Sequence, residues 1–209
     1  MQQITIRDIE ASDIPGLHNL IRNTWDWESL SEDENVLQAL VGMYLNEVLH
    51  EGTFGKVAVL NDKVAGVVFG VVEGEEHIFR GLQENSMDFV LTLLNTSEYE
   101  RKTIYDYFTK LNTAYEDLLR DTHYDGTLDF LITAQEAQGL GLGKKLWLES
   151  VKYFNSHNVR SIYVYTDTEC NFGFYEHLGF SKVREKKVAF VFEDEVFISD
   201  ILLYDYVTG

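Results

Sequence analysis

The stretch QGLGLGKKLWLESVKYF, residues 138–154, places three glycines at alternate positions ahead of an amphipathic run with helical periodicity. Glycine permits left-handed backbone conformations and lets backbone amides approach a ligand closely. A helix that begins at such a loop carries a partial positive charge at its N-terminus, which favours an anion. The stretch therefore predicts a tight loop and a helix start that hold a phosphate group through backbone amides.

The spacing of these glycines does not match two well-known phosphate loops. A Walker A loop would need a glycine in place of Gln138 and a serine or threonine in place of Lys145. A dinucleotide fingerprint that begins at Gly139 would need a glycine in place of Lys144. What remains is a loop that binds phosphate through its backbone, which needs few basic side chains and therefore suits an acidic protein.

The composition is that of an acidic chain of ordinary globular character. Of 209 residues, 45% are apolar and 25% are charged, which is enough for one domain with a well-buried core. The net charge of −18 repels phosphate backbones, so we expect no nucleic-acid partner and instead a cationic small molecule or peptide. The histidines show no metal-binding spacing, and we expect no metal.

Cysteine usage and hydropathy bear on the compartment. Cys170 is the only cysteine, so no intrachain disulfide can form and nothing favours an oxidising compartment. No apolar run approaches the ~18 residues of a membrane span, and residues 1–13 lack the basic and apolar blocks of a signal peptide. We therefore expect a cytoplasmic protein without a membrane partner.

The first segment of the chain has a strand pattern and then two helix patterns. Period-2 alternation predicts a strand over residues 3–9, and Asp13 followed by Pro15 predicts the start of a helix. Ser31 to Glu34 has the spacing of a capping box, and apolar residues at intervals of three and four follow it. These patterns predict one strand followed by two helices.

A predicted hairpin and a predicted helical insert follow. The hairpin consists of strands over residues 56–60 and 63–72. Residues 75–125, here called the insert, contain a second capping box at Ser97–Glu100. Beyond that box an apolar face with helical spacing is formed by Ile104, Tyr107, Phe108, Leu111, Tyr115, Leu118 and Leu119.

The last third of the chain returns to strand patterns around the glycine stretch. Residues 127–133 and 161–166 each have strand character, and the helix of the glycine stretch lies between them. Two more strands are predicted over residues 187–198 and 200–207. The acidic residues 193–195 indicate a solvated turn between the last strands.

Three segments resemble a known family. Residues Gln138–Gly143 match the Gln/Arg-x-x-Gly-x-Gly/Ala signature of the GCN5-related N-acetyltransferase (GNAT) superfamily. NFGFYEHLGF, residues 171–180, is similar to the family's next motif, which ends in Phe-Tyr-Glu-x-Leu-Gly-Phe. ITIRDIEASDIPGLHNLI, residues 4–21, resembles its first strand and helix. The resemblance covers about residues 3–72 and 126–205 and leaves the insert out.

The resemblance implies an α+β fold and a single domain. Relatives have a mixed, largely antiparallel twisted sheet that is flanked by helices. In this chain the helical insert would separate strands three and four, so that residues 1–209 form one acetyltransferase-like domain with the insert beside the acceptor side.

The resemblance also implies acetyl-CoA as the cofactor. The pyrophosphate would lie on backbone amides of the glycine stretch, and the pantetheine arm would run along the end of the preceding strand. The cofactor-binding residues implied in this way are Leu131, Ile132, Thr133, Gln138, Gly139, Leu140, Gly141, Leu142, Gly143, Lys144 and Asn171.

Two residues are candidates for the proton transfers of an acetyl transfer. Tyr175 matches the tyrosine with which family members protonate the departing thiolate, although a core aromatic residue is the alternative. Asp129 is the only acidic residue of its strand and a candidate base, although a relayed water as the base, or a structural or surface role for Asp129, remains open. Strand alternation places Asp129 on the same face as Thr127, Leu131 and Thr133.

The acceptor side is predicted from one aromatic and acidic loop. Trp25, Asp26, Trp27 and Glu28 suit a cationic amine through ring faces and carboxylates, and aromatic packing onto the core is the alternative. The predicted function is acetyl transfer from acetyl-CoA to a primary amine of a small, cationic acceptor by direct attack in a ternary complex. A protein or peptide acetyltransferase, a non-catalytic acyl-CoA sensor and a homodimer formed through the insert remain open alternatives.

Overall fold

One open sheet of seven strands runs through residues 4–192 and 195–207, the part of the chain that the computed structural model describes. Its strands are β1 (Ile4–Asp8), β2 (Phe54–Leu60), β3 (Lys63–Val72), β4 (Gly126–Thr133), β5 (Ser161–Asp167), β6 (Ser181–Phe192) and β7 (Glu195–Val207). Their spatial order is β1-β2-β3-β4-β5-β7-β6, and only β4 and β5 pair in parallel. The predicted α+β class with a largely antiparallel sheet is confirmed.

Helices cover both faces of the sheet. They are α1 (Ile14–Arg22), α2 (Glu34–Glu51), α3 (Ser86–Leu94), α4 (Glu98–Leu119), α5 (Leu142–Ser156) and α6 (Gly173–His177). On one face, α1 and α2 bury Leu17 and Leu45 completely against the sheet. On the other face, α5 buries Leu146 and Phe154. Each such leucine contributes about 1.5–3 kcal/mol, so the apolar stripes of these helices fix the two layers.

The sheet opens between β4 and β5. These strands pair only at Gly126 with Ile162 and at Thr127 with Tyr163, and then they part. On the other side, β4 stays paired with β3 as far as Thr133. Residues 128–133 therefore present a backbone edge toward β5 that no neighbouring strand occupies.

A β-bulge in β4 changes the predicted orientation of Asp129. The register of β3 against β4 shifts between Phe69 and Gly70, which leaves Asp129 as an extra residue. An extra residue reverses the alternation of side chains beyond it. Leu131 and Thr133 accordingly lie on the α5 face, whereas Asp129 lies on the α2 face. The prediction that the three share a face is wrong for this reason.

The insert is helical, as predicted, and it completes one layer. It contributes α3 and α4 between β3 and β4. The Ser97–Glu100 capping box at the start of α4 is confirmed, because each residue bonds the backbone amide of the other. The helix α3 lies against α2, and α4 packs across β6 and β7, where Leu118 meets Leu203 in a third apolar cluster.

At two predicted helix starts, the hydrogen bonds differ from those that the sequence predicts. The residue that caps α2 is Asp33, whose carboxylate accepts the amide of Asn35 at 2.8 Å. Ser31 instead donates its hydroxyl to Glu100 of the insert at 2.8 Å, so the predicted box with Glu34 is wrong. The helix α1 begins after Asp13 as predicted, but that carboxylate bonds Arg7 and the amide of Glu10 rather than capping α1.

The end of the chain forms an antiparallel pair. The predicted strand over residues 187–198 is two elements, because β6 ends at Phe192 and β7 begins at Glu195. Glu195 therefore belongs to a strand, and the rest of the predicted turn, residues 193–194, lies outside the described residues. Within the described chain, no helix is both long enough and apolar enough to cross a membrane.

The packing of α4 onto the sheet generates a stability prediction. Leu118 is 3% exposed and lies against the fully buried Leu203, so Leu118→Ala should leave a cavity and lower the free energy of unfolding by about 2–5 kcal/mol. Urea titration measures this loss. The control is Leu148→Ala on α5, where the side chain is 47% exposed and the change should stay within about 0.5 kcal/mol. Equal losses in the two variants would contradict this packing.

Candidate active site

A cavity of about 1860 Å³ lies where β4 and β5 part. The helices α2 and α4 form walls on one side, and the loop before α5 forms another. All of the predicted site residues except Leu140 line this cavity. The fold therefore brings together segments that are more than a hundred residues apart in the sequence.

The glycine loop, residues 138–143, ends in the first turn of α5. Gly139 and Gly141 have φ angles of +78° and +71°, which side-chain-bearing residues rarely adopt. The amide of Lys145 is the first that bonds within the helix, to the carbonyl of Gly141 at 3.1 Å. The amides of residues 142–144 thus lack an intrahelical acceptor and suit an anion.

One predicted amide is not free for an anion. The amide of Leu140 donates to the carbonyl of Ala137 at 3.3 Å, and the side chain packs against the core on the α5 face. The lysines at the loop, Lys144 and Lys145, are both exposed. The anion-binding surface therefore consists of backbone amides from the first turn of α5, and Leu140 only shapes the loop.

Tyr175 lies at the open edge of β4. It is 8% exposed, belongs to α6 and lines the cavity, where its hydroxyl meets the backbone amide of Leu131. Burial raises the pKa of Tyr175, and the nearby Cys170 and Asp167 raise it further. The hydroxyl is therefore protonated at neutral pH and has a proton to donate.

Asp129 faces the cavity from the bulge of β4. Its carboxylate makes no hydrogen bond and no ion pair with any residue that the structure describes. Burial raises its pKa to about 7, and the charges of Glu47 and Glu51 on α2 add to this effect. A carboxyl group that titrates near neutral pH can accept a proton and release it again under physiological conditions.

Cys170 is not suited to act as a nucleophile. Burial, together with the nearby carboxylate of Asp167, raises the pKa of its thiol to about 12. Its sulfur also lies within hydrogen-bonding reach of the Trp25 side chain. The thiol is therefore protonated at neutral pH, whereas nucleophilic cysteines react as thiolates.

The predicted acceptor residues divide between core and cavity. Trp27 is 5% exposed and donates its indole N–H to the carbonyl of Ile21 at 3.2 Å, which makes it chiefly a packing residue. The Glu28 carboxylate pairs with Arg22 at 2.7 Å. Trp25 is half-buried against Tyr44, with ring centroids 5.3 Å apart. Asp26 is exposed at the cavity.

The cavity is strongly acidic. Among the described residues, Lys144 is the only lysine or arginine that lines it. The acidic residues that line it are Asp26, Glu28, Glu32, Glu47, Glu51, Glu100, Asp129, Asp167, Glu169 and Glu195. No group of three or more histidine, cysteine or acidic side chains in the described chain is arranged to hold a metal ion. The charge therefore favours an organic cation.

Several cavity residues were not predicted from the sequence. Tyr44 and Glu47 come from α2, and Tyr107 and Tyr115 come from the insert. The Tyr115 ring stacks on Tyr165 of β5 at a centroid distance of 4.1 Å. Tyr107 and Tyr115 belong to the apolar helical face that the sequence indicates, but only the packing of α4 across β6 and β7 places these two side chains at the cavity.

Comparison with known proteins assigns the fold to a family. The profile of the Acetyltransferase (GNAT) family matches residues 14–180. The chain is similar to PaiA N-acetyltransferase from Thermoplasma acidophilum in complex with coenzyme A, with a TM-score of 0.56 and 13% identity over 99% of each chain. The chain is also similar to an acetyltransferase of the GNAT family from Streptococcus pneumoniae. The TM-score is 0.53 and the sequence identity is 14%, over 99% of this chain and 100% of that one.

A third similar structure is the ribosomal-protein-S18-alanine N-acetyltransferase from Escherichia coli. Its TM-score is 0.56 and its identity 13%, over 99% of this chain and 97% of that one. No curated protein sequence matches the chain significantly. The matched residues include the glycine loop and α6, on which the resemblance rests, and acetyl-CoA, the predicted cofactor, is the one that this family uses. The chain belongs to the GNAT family of acetyltransferases.

Proposed function

We propose that residues 1–209 form one catalytic domain that transfers an acetyl group from acetyl-CoA to a primary amine of a small, cationic acceptor. The observation that carries this proposal is the pairing, in one cavity, of an unpartnered carboxyl group that titrates near 7 with a buried, protonated tyrosine hydroxyl. The first group suits a base and the second suits an acid at the same pH.

The residues present fit acetyl-CoA. The free amides of residues 142–144 suit the pyrophosphate, and the left-handed Gly139 and Gly141 leave open space beside them. The unpaired edge of β4 between Leu131 and Thr133 suits the amides of an extended pantetheine arm. When bound, acetyl-CoA supplies an activated acetyl group and a thiol leaving group.

Two side chains of this protein would move protons in the reaction. An ammonium must lose a proton before its nitrogen can attack, and the Asp129 carboxylate is positioned in the cavity to accept it. The Tyr175 hydroxyl would donate its proton to the departing sulfur. Direct attack in a ternary complex agrees with the protonated state of Cys170, because no other cysteine in the chain is available to carry the acetyl group.

The acidic cavity supports a small cationic acceptor. Each carboxylate that lines it attracts an ammonium, and the low-dielectric walls strengthen that attraction. The insert helix α4 forms a wall of the cavity and so narrows the room for a protein chain. A protein amine stays the second candidate, because the structurally similar Escherichia coli enzyme is a ribosomal-protein-S18-alanine N-acetyltransferase.

The cytoplasmic location and the homodimer stay predictions. The location rests on the single cysteine and the sequence pattern at residues 1–13.

For a dimer, the insert offers a row of exposed apolar side chains on α3, namely Met87, Val90, Leu91 and Leu94, at the spacing of one helical face. Sedimentation of the purified protein distinguishes monomer from dimer.

The first prediction on function concerns donor binding. Calorimetric titration should detect acetyl-CoA binding, and Gly141→Val should raise its Kd at least about tenfold, which is about 1.4 kcal/mol, because a side chain would strain the loop and project beside the anion-binding amides. The matched control is Gly74→Val, since Gly74 has φ +85° and open surroundings but lies outside the cavity. Equal effects of the two changes would overturn the pyrophosphate assignment.

A second prediction concerns the base. Because Asp129 must be deprotonated to accept a proton, kcat/KM for the amine should rise with pH through about 7. Asp129→Asn removes this ionisation, so kcat/KM should fall about 100-fold or more at pH 8 and the step near pH 7 should disappear. A variant that keeps both its rate and the step near pH 7 would show that another group acts as the base.

A third prediction concerns the acid. Tyr175→Phe removes the hydroxyl and keeps the packed ring, so kcat should fall about 100-fold while the Kd for acetyl-CoA stays within about twofold. Tyr153→Phe is the control, because Tyr153 lies on α5 and does not line the cavity. Release of free thiol measures turnover. Binding of acetyl-CoA without turnover on any amine would favour the sensor alternative.

A further inference from the structure

Five of the ten acidic side chains that line the cavity form two groups. The first group, called the β4 group, contains Asp129 of β4 with Glu47 and Glu51 of α2. The second, called the β5 group, contains Asp167 at the end of β5 and Asp26 of the loop between α1 and α2, and both act on the hydroxyl of Tyr107. The two groups therefore lie against different walls of one cavity.

The hydroxyl of Tyr115 relates the two groups in space. Burial raises its pKa, and the charges of both Asp167 and Glu47 raise it further. Tyr44 in turn is affected by Asp129, by Glu47 and by Tyr115. The rings give the geometry. Tyr115 stacks on Tyr165, two residues before Asp167, at a centroid distance of 4.1 Å, and Tyr44 stacks on Phe130, which follows Asp129, at 5.9 Å. Both groups line the same cavity, so one small molecule bound there can contact both.

No lysine or arginine of the described chain pairs with either group, and the ionisable partners of Glu51 are His50 at 3.7 Å and His77 at 3.9 Å. Asp129 has no partner in the described chain. The Oδ1 atom of Asp167 accepts the backbone amides of Glu169 and Cys170, at 2.9 and 2.8 Å, and no lysine or arginine of the described chain pairs with this carboxylate. An uncompensated charge in a partly buried site is costly, and a bound cation removes this cost.

A separate observation points to a ligand with several N–H donors. The hydroxyls of Tyr44, Tyr107 and Tyr115 line the cavity and make no hydrogen bond with any described residue. Burial raises the pKa of each, to about 12 in Tyr107, so all three are neutral and their oxygens can accept hydrogen bonds. The rings of Tyr115, Tyr165 and Phe130 line the same cavity and offer apolar surface there.

We propose that the acceptor is a linear amine with at least two ammonium groups, whose attacking nitrogen lies at Asp129 and whose second ammonium is held by Asp167 with the hydroxyl of Tyr107. The inference rests on the proposed function and narrows its substrate class. A chain of methylene groups would pass along the aromatic rings between the two sites. Insert residue Tyr107 is in this view a specificity-determining residue.

The test compares diamines with monoamines. The wild-type protein is assayed for thiol release with α,ω-diaminoalkanes of increasing length and with n-alkylamines of the same length. At the optimal length, kcat/KM for the diamine should exceed that for the matched monoamine by about 100-fold. The monoamine lacks a charge-assisted contact of about 1.5–3 kcal/mol, and it leaves the charge of the Asp167 carboxylate without a cation.

Two variants assign the preference to the β5 group. Asp167→Asn keeps an oxygen for the amides of Glu169 and Cys170 and removes the charge, so the diamine-to-monoamine ratio should fall at least about tenfold. Tyr107→Phe should lower the same ratio about threefold or more. The control is Glu116→Gln, because Glu116 is an exposed residue of α4 that does not line the cavity. The diamine-to-monoamine ratio of this variant should stay at the wild-type value.

The outcomes separate this inference from the proposed function. If monoamines and diamines of every length are acetylated equally well, the second-ammonium site is wrong and the acetyltransferase proposal stands. If both variants lower the rates for diamines and monoamines by the same factor, Asp167 and Tyr107 act on the shared reaction and the inference is overturned. If acetyl-CoA binds but no amine is acetylated, the proposed function itself fails.

Discussion

The separation of β4 from β5 is the constraint on which the rest of the molecule depends. Among the strands that the structure describes, these two form the only parallel pair, and they pair at two positions before they part. Parallel neighbours need a crossover, and here the glycine loop and α5 form it. The same connection that joins the strands therefore places free helix amides beside a free strand edge. In the proposed reaction, donor and acceptor meet there because the sheet does not close.

Burial limits the charge near the centre of the cavity of this acidic protein. The chain carries a charge of −18, and removal from water raises the pKa values of Tyr44, Tyr107, Tyr115 and Tyr175 further above neutral pH, where tyrosine hydroxyls are already uncharged. The same effect raises the pKa of Asp129 to about 7. The cavity therefore combines fixed negative charge at its margins with titratable or neutral groups near its centre.

The sequence predicted the parts of the fold that depend on local patterns. Glycine spacing located the loop, a capping box located α4, and alternation located the strands. Prediction from the sequence failed where a single extra residue or a single long-range contact determines the orientation or the partner of a side chain. The bulge at Asp129 reverses the side-chain alternation without a local signal. Ser31 bonds Glu100, which is 69 residues away, and so does not cap its own helix. Trp27 and Glu28 have partners that only the folded loop brings near, and the tyrosines of the insert reach the cavity only through tertiary packing.

The way in which the insert joins the sheet has a consequence for how such proteins diverge. The segment that contains the insert begins after Val72 and ends before Gly126, and these two residues are direct cross-strand partners. Residues 73–125 therefore leave and re-enter the sheet at one point, as the turn of a hairpin does. A segment attached in this way can be lengthened, shortened or exchanged while the registers of β3 and β4 are preserved. With the function proposed above, acceptor choice can thus evolve as a module, under selection separate from that on the proposed donor site.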